Sequence, residues 1–448
     1  MMLPKINNNW FSESAELYGS RKAVVTDEME LTYQQLADHI NEKTKTLTEK
    51  DINRNDIVGL FAEHSYQFIV DLLSVWKIGG VVFPISTKPA KNEIDRQIKF
   101  TGCKLLADKI VGKNSASNKM SAALIMFTSG TTGENKSVVH TYNSLFASAS
   151  SIDKAIHLEE EKKWLASLPF YRIGGFQIII RTLLTGGTLC IPQNVSTKKI
   201  IDGVNRFKPD YISLVNATYR SLLQSNTTEL KNTKAIFVGG GPVESSLFKE
   251  GISKGLPVYK VYGSTETGSM ISILKPEEAV NKIDSAGKPL PGVKIKVKQN
   301  EILVSTDSLF TGYYKNESLT KEKIENGWYK TGDIGYIDDD GFLFVMGRKD
   351  NIIISGGEKI DPKEIEFVIK KLSYTKEVVV FGVPDEKWGQ KICAAVLSST
   401  KLDVSEIQDK LKEILPSYKI PKMINQIEKI PVDEMGKVNL SELQNLFN

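Results

Sequence analysis

The sequence is poor in the residues that build metal centres and disulfide scaffolds. Its 448 residues include three cysteines, Cys103, Cys190 and Cys393, and four histidines, His39, His64, His140 and His157. The cysteines lie far apart and show neither a paired framework nor zinc-ligand spacing, which points to a reducing compartment and a cytoplasmic location. The histidines form no ligand pattern, so each is expected to be a surface or packing residue. Charge of one sign is also lacking. The 58 basic and 54 acidic residues leave +4, spread along the chain, and make no electrostatic case for nucleic acid. The most apolar segments, "FIVDLLSVWKIGGVVFPI" and "IGGFQIIIRTLLTGGTLCIP", are broken by charge, Gly and Pro. Neither offers the ~20 clean apolar residues of a membrane span. The N-terminus has no apolar core of a secretory signal, and no internal repeat or low-complexity tract stands out. What is present is an ordinary globular composition, 41% apolar and 25% charged. The length suffices for two or three domains.

Residues 55–270 alternate short apolar runs with amphipathic stretches. "DIVGLFA" reads as a strand and "SYQFIVDLLSVWKIGG" as a helix, with Phe68, Leu72, Val75 and Trp76 on one face and Gly79 as its stop. "VVFPI", "AALIMF", "KAIFVGGG" and "LPVYKVYG" read as further strands, the last three running into Gly- or Thr-rich loops. This rhythm predicts an α/β fold of parallel sheets with helices on their faces. Ligands bind such sheets where the strands' carboxyl ends open into loops, so the three loops are expected to converge. After about residue 275 the texture changes. "VKIKVKQNEILVS" suggests a small antiparallel sheet, and "GFLFVMGRKDNIIISGGEKI" reads as two strands joined by the charged turn "GRKDN". Asp361 and Pro362 can open a helix with Ile365, Val368, Ile369 and Leu372 as its inner stripe. "EVVVFGVP" and "KICAAVLS" read as strands and "VSEIQDKLKEIL" as an amphipathic helix. A boundary near Lys349–Asp350 divides the chain into residues 1–349 and a small α+β domain of residues 350–448.

One loop carries chemistry on its face. "FTSGTTGENKSVVHT" (127–141) would satisfy the phosphate-loop pattern G-x-x-x-x-G-K-[ST] from Gly130 to Ser137 if Asn135 were Gly. That second Gly lets backbone amides wrap the phosphates, and one hydroxyl there serves magnesium. Asn135 and the surplus of Ser and Thr argue instead for a mobile cover over a triphosphate, with a plain surface turn as the bland alternative. Four more stretches follow in order: "VYGSTETGS" (261–269), "YKTGDIG" (329–335), "GRKDNIIISGGEKIDPKEIE" (347–366) and "PVDEMGKVNLSEL" (431–443). Together with the early "LTYQQLADHI" (31–40), they resemble the adenylate-forming acyl-CoA synthetase (AMP-binding) family over nearly the whole chain.

That resemblance implies a large N-terminal domain of stacked mixed and parallel sheets with helices, a small barrel-like β subdomain, and a small mobile C-terminal α+β domain. It also implies two steps: a carboxylate attacks the α-phosphate of ATP, and a thiol, usually that of coenzyme A, then displaces AMP. Thr128, Ser129, Gly130, Thr131, Thr132, Gly133 and Lys136 match the β,γ-phosphate loop. Glu266 matches the Mg²⁺-binding acid and Thr265 an α-phosphate contact. Gly239, Gly240, Gly241, Tyr262 and Gly263 match the adenine site. Asp333 matches the acceptor of both ribose hydroxyls and Arg348 a ribose and phosphate contact. Lys437 matches the lysine that bridges the acyl carboxylate and the nucleotide, although Met435 stands where relatives carry Ser or Asn. Asp350 matches a hinge, and Gly356 and Gly357 would leave room for a pantetheine arm. Catalytic roles therefore fall on Lys437, Glu266 and Arg348.

The chain departs from the pattern at Ser137, Arg172 and Asn216, where relatives commonly carry Gly, His and Pro. The last two fall in segments that line the acyl pocket. Arg181 sits in the buried-looking helix "FQIIIRTLL" and needs a partner, because an unpaired buried cation costs several kcal/mol. The partner is either a structural Asp or Glu or a second carboxylate on the substrate, with Arg172 or Arg220 assisting. The second option resembles the 2-succinylbenzoate–CoA ligases of menaquinone biosynthesis. Another aryl- or short/medium-chain acyl-CoA ligase, or a stand-alone adenylation enzyme loading a carrier protein, is the alternative. The expected partners are a small carboxylate, ATP with Mg²⁺, and CoA. A homodimer is compatible with the family, and no segment specifies its interface.

Overall fold

The structure is a computed structural model and describes residues 4–87, 91–106, 122–128, 136–225, 228–372, 374–432 and 438–447. Contacts divide the chain into two compact units. One holds Met1–Ile295, Val304–Tyr329 and Asp338–Leu343; the other holds Lys296–Leu303, Lys330–Ile337 and Phe344–Asn448.

The first unit is built on two sheets. In the six-stranded sheet the order is Gly312–Tyr313, Lys136–Thr141, Ala122–Thr128, Val81–Ile85, Ile57–Phe61, Lys104–Leu106. The four strands from Ala122–Thr128 onward are parallel, and Lys136–Thr141 returns antiparallel. The nine-stranded sheet runs Lys288–Pro289, Ser269–Leu274, Val258–Ser264, Ala235–Gly239, Tyr211–Val215, Lys163–Leu165, Thr188–Cys190, Lys22–Val25, Glu30–Thr32, parallel in the middle with antiparallel pairs at both ends. Central strands such as Ala235–Gly239 are buried along their whole length, as expected of a parallel sheet covered on both faces. The helix Tyr66–Ile78 forms where its apolar spacing predicts. Ser65 caps its start, accepting a hydrogen bond from the Phe68 amide, and Gly79 ends it in the left-handed region at φ 89°. Thr32 and Gln35 in "LTYQQLADHI" form a reciprocal capping box on the helix Tyr33–Glu49.

A five-stranded sheet, with Val293–Lys298, Glu301–Thr306, Trp328–Ile337 and Ile324–Glu325 in order and Leu343–Arg348 paired to Trp328–Ile337, supplies the expected β subdomain. Its first turn places Gln299 and Asn300 at positive φ, 52° and 64°, the signature of a tight hairpin.

The C-terminal part of the second unit is a sheet with helices on both faces. The long strands Thr375–Asp385 and Gly389–Ser398 pair antiparallel over their full length. Alternation sorts their residues: Val378, Val380, Ile392 and Val396 pack with Ile365, Ile369, Ile407 and Leu411 of the helices Pro362–Lys370 and Val404–Ile414. Phe381, Cys393 and Ala395 face Leu443 and Phe447 on the other side. "GRKDN" joins two strands as expected, and these belong to different sheets. Leu343–Arg348 pairs with Trp328–Ile337, a short 3₁₀ turn follows at Lys349–Asn351, and the hairpin is Ile353–Ser355 with Glu358–Ile360, turning at Gly356–Gly357. The left-handed conformations of Gly356 and Gly357, φ 60° and 87°, are what that turn needs.

Candidate functional site

In the first unit, adjacent parallel strands put the loops after Gly239 and Ser264 side by side at their carboxyl ends. Gly239 is dictated by packing: a Cβ there would lie 2.6 Å from Val261 Cγ2 and 2.8 Å from its carbonyl oxygen. Gly240 has φ 81°, and a Cβ on Gly241 would meet nothing within 4 Å, so this loop leaves backbone open to a flat ligand. Asn216, at the end of the neighbouring strand, ties in through Nδ2, which donates to the Pro242 carbonyl at 3.1 Å. Gly263 is also explained by packing, since its Cβ would fall 1.8 Å from the Ser269 carbonyl oxygen across a bulged strand pair. Tyr262 beside it is half-buried.

The turn carrying Thr265 and Glu266 is tied at four consecutive carbonyls. Thr265 O faces His140 Nε2 at 2.7 Å, and Glu266 O accepts from the Phe310 amide at 2.8 Å. Thr267 O accepts from Ser308 Oγ at 2.9 Å, and Gly268 O from Ser148 Oγ at 2.8 Å. The Glu266 carboxylate accepts from Tyr313 Oη at 3.0 Å through Oε1. His140 is fully buried and its pKa is pushed down to about 4 by that burial, against the opposing pull of the Thr265 carbonyl and Glu266. It is therefore neutral, with its proton on Nε2 to meet the carbonyl and Nδ1 facing Ser144 Oγ at 3.0 Å. Among the described residues no cluster of three or more His, Cys, Asp or Glu side chains could hold a metal ion. A single carboxylate with one free oxygen suits Mg²⁺, which takes one or two protein carboxylates and completes its shell with phosphates and water.

The phosphate loop itself, Ser129, Gly130, Thr131, Thr132 and Gly133, lies outside the described residues. Its two anchors are described: Thr128 pairs with Lys136 across the antiparallel strands, and Thr128 Oγ1 donates to the Lys136 carbonyl at 3.3 Å. Ser137, the departure from Gly, is an ordinary strand residue opposite Phe127. It is buried, with its hydroxyl unpartnered among the described residues, and no conformation there demands glycine.

The three arginines do not assemble as expected. Arg220 is half-exposed and ion-paired with Glu244 at 2.9 Å. Arg172 stands at the start of the helix Ile173–Leu184 and Arg181 in its last turn. Nine residues set them about 13 Å apart along the axis and on opposite sides of the helix. Arg181 is 1% exposed, and the expected Asp or Glu is missing among the described residues. Nε and one terminal nitrogen have no partner there, and the other terminal nitrogen lies 4.0 Å from Met270 Sδ. Burial pushes its pKa down to about 9.

In the second unit, Asp333 and Arg348 meet. A terminal nitrogen of Arg348 donates to Asp333 Oδ1 at 3.2 Å and to the Thr331 carbonyl at 3.3 Å. The Asp333 amide donates to Thr331 Oγ1, and Gly332, at φ 75°, donates its amide to Glu301 Oε1 at 3.1 Å. Glu301, which also pairs with Lys349 at 3.2 Å, was not legible in the sequence. Asp350 lies in the 3₁₀ turn. Gly356 is less open than expected: a Cβ would lie 3.1 Å from the Trp388 ring, whereas Gly357 has open space. Lys437 lies outside the described residues.

The AMP-binding enzyme family model matches residues 11–118 and 109–314, and the AMP-binding enzyme C-terminal domain matches residues 364–437. The chain belongs to the AMP-binding enzyme family. This AMP-binding enzyme is 31% identical to 2-succinylbenzoate--CoA ligase from Listeria monocytogenes serotype 4b, over 97% of this chain and 98% of the relative. Among solved structures, it resembles the o-succinylbenzoate CoA synthetase (MenE) of Bacillus subtilis in complex with the acyl-adenylate intermediate OSB-AMP. The TM-score is 0.87 and the identity 29%, covering 97% of this chain and 98% of that one. The same synthetase with ATP and magnesium ion matches at TM-score 0.87 and 28% identity, covering 97% and 99%.

Proposed function

We propose that this chain is an AMP-forming acyl-CoA ligase that converts 2-succinylbenzoate to 2-succinylbenzoyl-CoA, the thioester-forming step of menaquinone biosynthesis. The observation that carries the reading is the full-length likeness to 2-succinylbenzoate--CoA ligases. In the first step a carboxylate oxygen of the acid attacks the α-phosphorus of ATP, the bond to the β-phosphate oxygen breaks, and pyrophosphate leaves. In the second the CoA sulfur attacks the acyl carbon of the mixed anhydride, its proton goes to solvent, and AMP leaves with the bonding pair.

Both reactants of the first step are anionic, so the site must hold like charges together. Thr128, Ser129, Gly130, Thr131, Thr132, Gly133 and Lys136 cover the β- and γ-phosphates. Glu266 holds Mg²⁺, which when bound neutralises phosphate charge, and Thr265 meets the α-phosphate. Gly239, Gly240, Gly241, Tyr262 and Gly263 frame the adenine, and Asp333 takes the ribose hydroxyls with Arg348 beside it. Lys437 bridges carboxylate and nucleotide. Asp350 is the hinge between residues 1–349 and 350–448, and Gly356 and Gly357 border the pantetheine path. Arg172, within the segment "LPFYRIGG" (168–175) expected to line the acyl pocket, is the better placed of the arginines for a second substrate carboxylate. Among the described residues no helix is long and apolar enough to cross a membrane.

The test is ATP–pyrophosphate exchange with 2-succinylbenzoate, benzoate, coumarate, short fatty acids and amino acids, followed by CoA addition. Exchange with 2-succinylbenzoate and thioester on adding CoA are expected. Exchange with a monocarboxylate alone would replace the substrate.

A further inference from the structure

The strand Lys136–Thr141 carries two groups on one face. Lys136 and His140 are four residues apart, an even spacing in an extended strand, and so lie on the same side about 13 Å apart. Lys136 ends the phosphate loop, and His140 grips the carbonyl of Thr265, next to Glu266. The neighbouring strand Gly312–Tyr313 pairs with the same strand, Tyr313 opposite Val138, and delivers its phenol to the Glu266 carboxylate. Tyr313 is well fixed for this. It is 6% exposed, its amide donates to Thr320 Oγ1 at 2.9 Å, and its ring packs edge-on against Phe310 at 4.9 Å. Phe310 in turn donates its amide to the Glu266 carbonyl. Glu266 Oε2 has no partner among the described residues, so the phenol occupies one carboxylate oxygen and leaves the other available.

We propose that Tyr313 and His140 are positioning residues that fix the Glu266 carboxylate for the cation of MgATP, Tyr313 by orienting the carboxylate and His140 by holding the turn. The inference rests on the ligase reading, which gives Glu266 to the metal. A glutamate left to itself samples several rotamers and must be ordered when the ion binds. A phenol that donates to Oε1 orders it beforehand and polarises the carboxylate, the usual job of groups one step removed from a metal. Because Tyr313 and His140 both sit on or beside the strand that closes the phosphate loop, one rigid element sets the spacing between the phosphate lysine and the metal-binding acid.

The test is calorimetric binding with the full chain, using ATP at stepped Mg²⁺ concentrations and, separately, AMP in the absence of divalent cations. Tyr313→Phe removes one hydroxyl and should raise the Mg²⁺ needed for half-maximal ATP binding about tenfold. Its AMP affinity should stay within about twofold and its melting temperature within about two degrees. His140→Leu should shift the Mg²⁺ midpoint in the same direction. His140→Gln, which keeps an N–H donor at similar reach, should restore it to within about twofold. An unchanged midpoint in Tyr313→Phe would overturn the proposal. So would parallel loss of AMP and MgATP affinity with a lowered melting temperature, because that pattern belongs to a damaged fold. A wild-type chain that binds neither nucleotide would overturn the ligase reading itself and the inference with it.

Discussion

Arg181→Met should make this protein more stable. The guanidinium is 1% exposed in the last turn of the helix Ile173–Leu184 and meets no carboxylate among the described residues. Burial alone lowers its pKa from its ordinary value to about 9. Three and a half decades of weakened proton affinity correspond to about 5 kcal/mol of penalty on the charged form at neutral pH. The sign follows from linkage. A cation whose folded pKa is depressed destabilises the fold at every pH below that value, so the cost is present in full at pH 7. Methionine is of similar length, carries no charge, and would join an apolar neighbourhood that includes Met270. Replacing a buried charged group by an apolar one of similar volume gains about 1–4 kcal/mol in measured cases, and the gain here should fall in that range. Urea unfolding of wild type and variant, with equal slopes, reads the difference directly from the midpoints. A loss of more than about 1 kcal/mol would refute the reasoning, because it would mean that the guanidinium is compensated by an ordered group such as a buried water.

Four further outcomes follow from the same structure. His140 is neutral in the fold with a pKa near 4, against 6.5 when exposed. The folded state therefore binds fewer protons; stability is complete above pH 6.5 and falls by up to about 3 kcal/mol as the pH drops towards 4. His140→Gln should flatten the pH dependence of denaturation, and parallel curves would contradict this. Gly263→Ala should cost about 1–3 kcal/mol by pushing a methyl into the Ser269 carbonyl, with a lowered midpoint in the same unfolding assay. Lys437→Ala should slow adenylate formation by about a hundredfold or more, read by pyrophosphate exchange, while thioester formation from supplied acyl-adenylate continues. Asp350→Pro should impair thioester formation far more than adenylate formation; equal loss in both half-reactions would remove the hinge.

The elements that depend on local pattern were readable before any coordinates. The helix Tyr66–Ile78 with its Gly79 stop, the buried strands, and the Asp361–Pro362 start of the helix Pro362–Lys370 follow from apolar period and capping chemistry. Pairing was less legible. "GRKDN" looks like a hairpin turn because two β-forming runs flank it, and only tertiary contacts send those runs to different sheets. The arginines illustrate the same limit: Arg172 or Arg220 was expected to assist Arg181, and nothing local reveals that Arg220 is engaged by Glu244. Of the candidate residues, Glu266 in the first unit and Asp333 and Arg348 in the second were marked by their motifs. His140, Tyr313 and Glu301 were not, because their contacts are to residues on other strands and loops far away in sequence. One signal was available: His140 is a lone ionisable residue in the apolar strand "SVVH", where burial forces it to find partners.

The most direct measurement is to incubate the protein with ATP, Mg²⁺ and 2-succinylbenzoate without CoA and to look for 2-succinylbenzoyl-AMP by mass spectrometry, then add CoA. The account predicts an adenylate that accumulates on the enzyme and disappears on CoA addition as 2-succinylbenzoyl-CoA and AMP appear in equal amounts. No adenylate from 2-succinylbenzoate, alongside ready adenylation of a monocarboxylate, would contradict it.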